Sequence, residues 1–232
     1  MSFLGAILDV LAPPLCCLCR GPPAALPWLC AACTRQLEVV TAPRCLRCGA
    51  PRPLPTPVCA LCPDWPPRLG PVRSAAFHGG VARDLLHALR RGRLETARPL
   101  GALVAAAARD LPLPEGTVLV PVPVHPRERR RLGLHPAVEI ARVAARHLKL
   151  PVLRRALRRV RYEPAGVLRS PAGRRRALRG AFRATERVRG RSVLLVDGAL
   201  IAGVTLGACV RALGRKGVAQ VHAVTATRWF RP

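Results

Sequence analysis

Eight of the ten cysteines form four Cys-x-x-Cys pairs within residues 16–62: Cys16/Cys19, Cys30/Cys33, Cys45/Cys48 and Cys59/Cys62. Intervals of ten, eleven and ten residues separate the pairs. One such turn sets two sulfurs on an edge of a metal site, and two turns close a tetrahedral Cys₄ group. The regular spacing therefore implies about two structural zinc ions. Sequential pairing uses Cys16, Cys19, Cys30 and Cys33 for one site and Cys45, Cys48, Cys59 and Cys62 for the other; interleaved pairing is the alternative. Cys17 stands next to a ligand and could substitute for Cys16. A disulfide framework would need a secreted chain. Residues 1–15 lack a basic leader, and Pro13 and Pro14 break their apolar run, so no signal peptide is expected. Arg20-Gly21 and Gly49, just past their pairs, suit the left-handed positions that close metal-binding turns.

The remaining residues leave room for one ordinary domain beyond the metal module. Half of the 232 residues are hydrophobic but only 3% are aromatic, so the core must rest on Leu, Val and Ala. No apolar run reaches the roughly 18 residues needed to span a bilayer, and a cytoplasmic protein without membrane insertion is expected. The formal net charge is +27, from 39 Lys+Arg against 12 Asp+Glu, and only Lys149 and Lys216 are lysines. Codon bias accounts for arginine over lysine but not for the excess of base over acid. Such a surface attracts polyanions, nucleic acid first and phosphorylated metabolites second.

The prolines around Asp64-Trp65 read as a stiff linker, dividing the chain into a metal module at residues 1–66, with a short apolar helix at 3–11, and a second domain at 67–232. Beyond the linker, apolar strands (72–77, 117–124, 192–196, 218–225) alternate with helices (81–90, 97–109, 136–148 and one carrying Leu206, Cys209, Val210 and Leu213). This order indicates an α/β fold with a parallel sheet covered on both faces. Cys209 lies on an apolar helix face and reads as core. Residues 154–191 are dense in arginine; within them Phe182 reads as core, and Tyr162 is a candidate for stacking on bases.

The run Val193-Leu194-Leu195-Val196-Asp197-Gly198-Ala199-Leu200-Ile201-Ala202-Gly203-Val204-Thr205 is a strand, an acid, a Gly-bearing loop and a helix start, an order that can bind an anion on backbone N–H groups. It resembles the phosphoribosyl-diphosphate loop of type I phosphoribosyltransferases, which reads Asp-Asp, two or three variable residues, then Thr-Thr-Gly-x-Thr. Together with the cysteine pairs, nearly the whole chain resembles the ComF/GntX family of competence-associated proteins, which join a zinc ribbon to such a domain. Val120-Pro121-Val122-Pro123-Val124-His125-Pro126-Arg127 resembles the family's pyrophosphate-side loop. Arg174-Arg175-Arg176 through Gly180-Ala181-Phe182 resembles another family segment.

The resemblance implies a type I phosphoribosyltransferase-like domain in which Asp197 holds ribose hydroxyls and Gly203, Thr205 and Arg127 hold phosphate. The chain departs from the pattern at Gly198, Ile201 and Ala202, where the family has Asp, Thr and Thr. Glu163-Pro164-Ala165-Gly166 likewise replaces a family Thr-Pro-x-Gln. Each hydrogen bond to a charged group contributes about 1.5–3 kcal/mol, so these losses cost about 4 kcal/mol, roughly a thousandfold in affinity. Restoring the three residues together should recover at least about a hundredfold. The expected function is that of a competence-associated protein binding single-stranded nucleic acid through Arg129, Arg130, Arg131, Arg174, Arg175 and Arg176. Phosphate-bearing ligands would bind weakly, and transfer chemistry would be impaired. One alternative is an active transferase using phosphoribosyl diphosphate with Mg²⁺. Another is a zinc-ribbon scaffold gripping a partner, for which competence-machinery proteins are candidates. His125 and His135, among the arginines, are further anion-binding candidates.

Overall fold

The computed structural model describes residues 15–22, 28–60, 62, 64–162 and 171–230. The expected helix at 3–11 and residues 163–166 lie outside them. Four parallel strands form the central sheet in the order β1-β6-β5-β2. They are β1 (Leu69–Phe77), β2 (Val118–Pro121), β5 (Ser192–Leu200) and β6 (Gln220–Arg228).

Side-chain alternation divides the core into two layers. Leu194, Val196, Val224 and Ala226 pack against α2 (Gly80–Arg90), α3 (Ala97–Ala108) and α5 (Pro136–Leu148). Val193, Leu195, Val221 and Ala223 face the opposite way. Their cover is α7 (Val204–Gly214) and a two-stranded antiparallel ribbon of β3 (Leu157–Arg159) and β4 (Phe182–Ala184). Phe182 and Cys209 are buried in this second layer, as expected of core residues. No helix among the described residues is long and apolar enough to cross a membrane.

Three local differences from the sequence reading shape the site. Strand β5 does not stop at residue 196; Ala199 and Leu200 stay in register with Thr227 and Arg228 of β6, leaving only residues 201–203 as a loop. The segment after β2, where the sequence reading placed no element, is a helix, α4 (Pro126–Leu132), followed at its end by Gly133 at φ 70°. It begins with His125 as N-cap and Pro126 at its first turn, where proline's missing N–H costs nothing. The arginine-dense stretch contributes the β3–β4 ribbon and α6 (Pro171–Ala177).

The cysteine-rich segment covers the open edge of β1. Val40 N–H donates to Ala75 O (2.9 Å) and Phe77 N–H to Glu38 O (2.9 Å), so the chain between the two cysteine quartets runs antiparallel along that edge. This pairing caps a strand edge that would otherwise expose unpaired backbone groups. The first quartet joins the core layer of α2 and α3, and the second joins the layer of α7.

Candidate metal groups and phosphate cleft

The two cysteine turns that open the quartets repeat one hydrogen-bond pattern. In the first, Cys16 N–H donates to Gly21 O (2.9 Å) and Arg20 N–H to Cys16 O (3.0 Å); in the second, Cys45 N–H donates to Ala50 O (2.8 Å) and Gly49 N–H to Cys45 O (2.9 Å). Arg20 and Gly49 take the left-handed conformation at φ 64° and 68°, and Gly21 is not needed for it.

Folding gathers Cys16, Cys19, Cys30 and Cys33 into one group and Cys45, Cys48, Cys59 and Cys62 into another, each with sulfurs within 4.8 Å of one another. The pairing is sequential. Sulfur separations of 3.5 Å (Cys19–Cys30), 3.6 Å (Cys45–Cys62, Cys48–Cys59) and 3.9 Å (Cys59–Cys62) are far too long for disulfides. They match the roughly 3.8 Å edge of a tetrahedron with metal–sulfur bonds of about 2.3 Å. Both groups could therefore hold a metal ion. Cys17 lies outside the first group, and burial pushes its thiol up to about 11.

Buried arginines from the sheet hold the second group in place. Arg73 Nη1 donates to Leu46 O and Arg228 Nη1 to Cys48 O, both at 2.9 Å, and each of these arginines is less than 10% exposed. Arg93 does the same for the first group, donating to the carbonyls of Cys17 and Leu18.

At the carboxyl end of β5 lies a cavity of about 230 Å³, the position where open α/β sheets bind ligands. Asp197, Ala199, Leu200, Ile201, Ala202, Gly203, Val204, Thr205 and Leu206 line it, with Arg159 and Leu178 opposite. Asp197 Oδ1 accepts from Gly198 N–H (2.7 Å). Burial pushes the Asp197 carboxyl up to about 6, against the pull of that hydrogen bond and of Arg90 and Arg159. Gly203, at φ 67°, turns the chain into α7, whose first N–H groups have no intrahelical partner. Ile201 and Ala202 bring apolar side chains to this wall. Gly198 does not line the cavity. It sits on the other face of β5, where an added Cβ would meet Leu86 Cδ1 at 3.0 Å.

A second cleft, of about 560 Å³, adjoins the loop after β2. Arg129, Arg154, Arg155, Arg158 and Arg159 line it together with His125 and His135, and among the described residues no acid does. Arg159 thus borders both cavities. Arg127 is exposed and lies over the Tyr162 ring (5.5 Å), which also contacts His125 (5.2 Å). Arg130 and Arg131 on α4 and Arg175 and Arg176 on α6 are exposed, whereas the Arg174 side chain lies outside the description.

The two histidines serve as helix N-caps. His125 Nδ1 accepts from Arg127 N–H (3.2 Å). His135 Nδ1 lies 3.4 Å from Val138 N and its Nε2 3.3 Å from Val124 N; a neutral imidazole has one acceptor nitrogen, so it satisfies one of the two. Burial, with repulsion from Arg129 and Arg154, lowers His135 to about 4, and burial with nearby arginines also lowers His125. His135 is therefore neutral near pH 7, which removes it as a cationic anchor for anions.

The sequence reading missed Arg154, Arg155, Arg158 and Arg159 as individual cleft residues, although it marked their stretch as basic. It also missed Trp65, read as part of a linker, whose buried indole Nε1–H donates to Gly203 O (3.0 Å).

A parallel sheet, an acid and glycine-turned helix start at its carboxyl end, and two Cys₄ groups at its edge define a phosphoribosyltransferase-like domain with a cysteine-rich module that could hold metal. A profile of the phosphoribosyl transferase domain matches residues 131–228. The chain is 30% identical over 218 residues to the DNA utilization protein YhgH of Salmonella typhi, covering 90% of this chain and 95% of that one. It is 29% identical over the same length to the YhgH of Escherichia coli K12, with the same coverage. Among solved structures, the B. subtilis glutamine phosphoribosylpyrophosphate amidotransferase superposes with a TM-score of 0.40 at 20% identity, over 58% of this chain and 27% of the larger enzyme. The chain belongs to the ComF/GntX family.

Proposed function

We propose that the protein binds single-stranded nucleic acid through the arginine cleft and holds a phosphate-bearing ligand weakly at the adjoining loop, in the cytoplasm and in the service of DNA utilization. The observation that carries this reading is Arg159, which borders both the Asp197 cavity and a cleft lined, among the described residues, by four further arginines and no acid. Arginine neutralises phosphates and stacks on bases, so the cleft tolerates any sequence. The exposed Arg127, Arg130, Arg131, Arg175 and Arg176 add to the positive surface, and Arg174 is a further arginine of the same sequence run.

In the adjoining cavity Asp197 accepts hydrogen bonds from ribose hydroxyls, and the first amides of α7 with the Thr205 hydroxyl donate to a phosphate. Ile201 and Ala202 offer no hydroxyls there, which leaves binding weak and transfer impaired. Mg²⁺ enters only with phosphoribosyl diphosphate. The Cys₄ groups suit zinc, because four thiolates at tetrahedral spacing are its characteristic structural donors, and the competence machinery supplies candidate partners. Metal analysis should find about two zinc ions per chain.

Anisotropy of a labelled single strand, measured across salt concentrations, tests the nucleic-acid reading. Five or six neutralised phosphates give a slope of about −4 in log affinity against log salt, at about −0.7 each. Arg154→Ala/Arg155→Ala/Arg158→Ala should flatten that slope by about 2 without altering sequence preference. A flat salt response, or an unchanged slope in the triple variant, would show that the cleft is not the binding surface.

A further inference from the structure

Trp65 stands three residues after Cys62 and is only 4% exposed. Its backbone is held from the second Cys₄ group: Arg47, inside the Cys45–Cys48 turn, donates Nη2 to Trp65 O at 3.4 Å. The indole packs in the same buried cluster as Cys45 and Cys48, and its Nε1–H reaches Gly203 O at 3.0 Å across 138 residues of sequence. Gly203 O also accepts the first helical bond of α7, from Gly207 N–H at 3.0 Å. A trans peptide aims its N–H opposite to its C=O. Fixing the Gly203 carbonyl against the indole therefore aims the Val204 N–H at the open end of α7, toward the cavity. A second tie runs in parallel: Arg228 donates to Cys48 O, and its backbone pairs with Leu200 at the loop's entry. Among the described residues the first Cys₄ group packs instead in the opposite layer, with α2 and α3.

We propose that Trp65 is a positioning residue through which the second Cys₄ group, when it holds its metal, sets the conformation of the phosphate loop, so that losing that metal loosens the loop. The proposal rests on the reading of residues 201–205 as a phosphate loop. It makes the ribbon a sensor as well as a staple: removal of its metal weakens phosphate binding in the other module. The first group is silent in this respect.

Hydrogen exchange of the amides at 201–206, measured by mass spectrometry on the full-length metal-loaded protein, tests the coupling without any ligand. Trp65→Phe keeps an aromatic ring but deletes the donor, and it should raise loop exchange about tenfold, the equivalent of about 1.4 kcal/mol, with metal content unchanged. Cys62→Ser, which opens the second group, should produce the same rise, and Cys19→Ser, which opens the first, should leave the loop at its wild-type rate. Combining Trp65→Phe with Cys62→Ser should add less than about twofold, because both act on one link. Should Cys62→Ser fail to fold, graded chelation replaces it: the wild-type loop must loosen in step with metal loss, while the loop of Trp65→Phe stays at its already raised rate. Wild-type exchange in Trp65→Phe, equal loosening by Cys19→Ser and Cys62→Ser, or effects that multiply in the double variant would overturn the proposal. Titration with inorganic pyrophosphate separates the two ideas. Absent binding to the wild type removes the phosphate-loop reading while the exchange experiment still judges Trp65.

Discussion

Replacing Gly203 with alanine probes the loop most directly, because two physical costs coincide there and can be separated. The first is conformational: at φ 67° a Cβ crowds its own backbone, at about 1–2 kcal/mol for a non-glycine residue. The second is steric, since the added carbon would lie 2.5 Å from Trp65 Nε1 and 2.8 Å from its Cε2 and Cζ2. The indole is buried and cannot swing away, and overpacking of this kind costs about 1–3 kcal/mol. The sum is about 2–5 kcal/mol. Gly116 supplies the control, with φ 73° and nothing within 4 Å of its would-be Cβ, so Gly116→Ala should cost only the first part, about 1–2 kcal/mol. Differential scanning of the metal-loaded protein reads the difference, at about 2–4 °C per kcal/mol for a chain of this size. Gly203→Ala should therefore melt clearly below Gly116→Ala, and much of the excess should vanish when Trp65→Ala is added, because the two substitutions share one contact. Equal melting shifts for the two glycine variants would refute the claim that the indole abuts the loop.

Two further outcomes follow from the site. Because the folded-state pKa of Asp197 is raised to about 6, its contribution to stability is present at low pH and lost as pH rises from about 4 to above 6. Asp197→Asn should accordingly stabilise the protein by about 3 kcal/mol at pH 8 and by far less at pH 4, while weakening ribose phosphate binding; equal melting shifts at both pH values would contradict this. Gly198→Asp, the substitution that restores the family's second acid, should destabilise the fold by about 1–3 kcal/mol against Leu86 without tightening phosphoribosyl diphosphate binding in calorimetry. Tighter binding by Gly198→Asp alone would show that this position does face the ligand.

Much of the architecture was legible in the chain because it follows from local chemistry. Cys-x-x-Cys turns form through bonds spanning five residues, so the cysteine spacing carries the turn geometry, and the left-handed position could be named in advance as Gly49 in one turn and narrowed to Arg20-Gly21 in the other. The alternation of apolar strands and helices likewise gave the parallel sheet, and Gly203 could be placed at a helix start. The pattern could not tell which way each side chain in the loop faces. β5 was read as ending at 196, but the strand runs on to Leu200, with Asp197, Ala199 and Leu200 paired to β6, so Asp197 and Gly198 point to opposite faces and the missing second acid is not missing from the cavity wall. That decision belongs to β6, which is distant in sequence and supplies the hydrogen bonds that extend the strand.

The cleft and the Trp65 link were equally invisible from the sequence. Arg154, Arg155, Arg158 and Arg159 were only members of a basic stretch until the β3–β4 ribbon set them beside the loop after β2. Trp65 read as linker because its neighbours are prolines, and its only signal was a large apolar side chain where a solvated linker needs none. Spacing along the chain determines what forms within a few residues. Contacts across 138 residues depend on where the sheet edge brings the ribbon, and only the folded core fixes that.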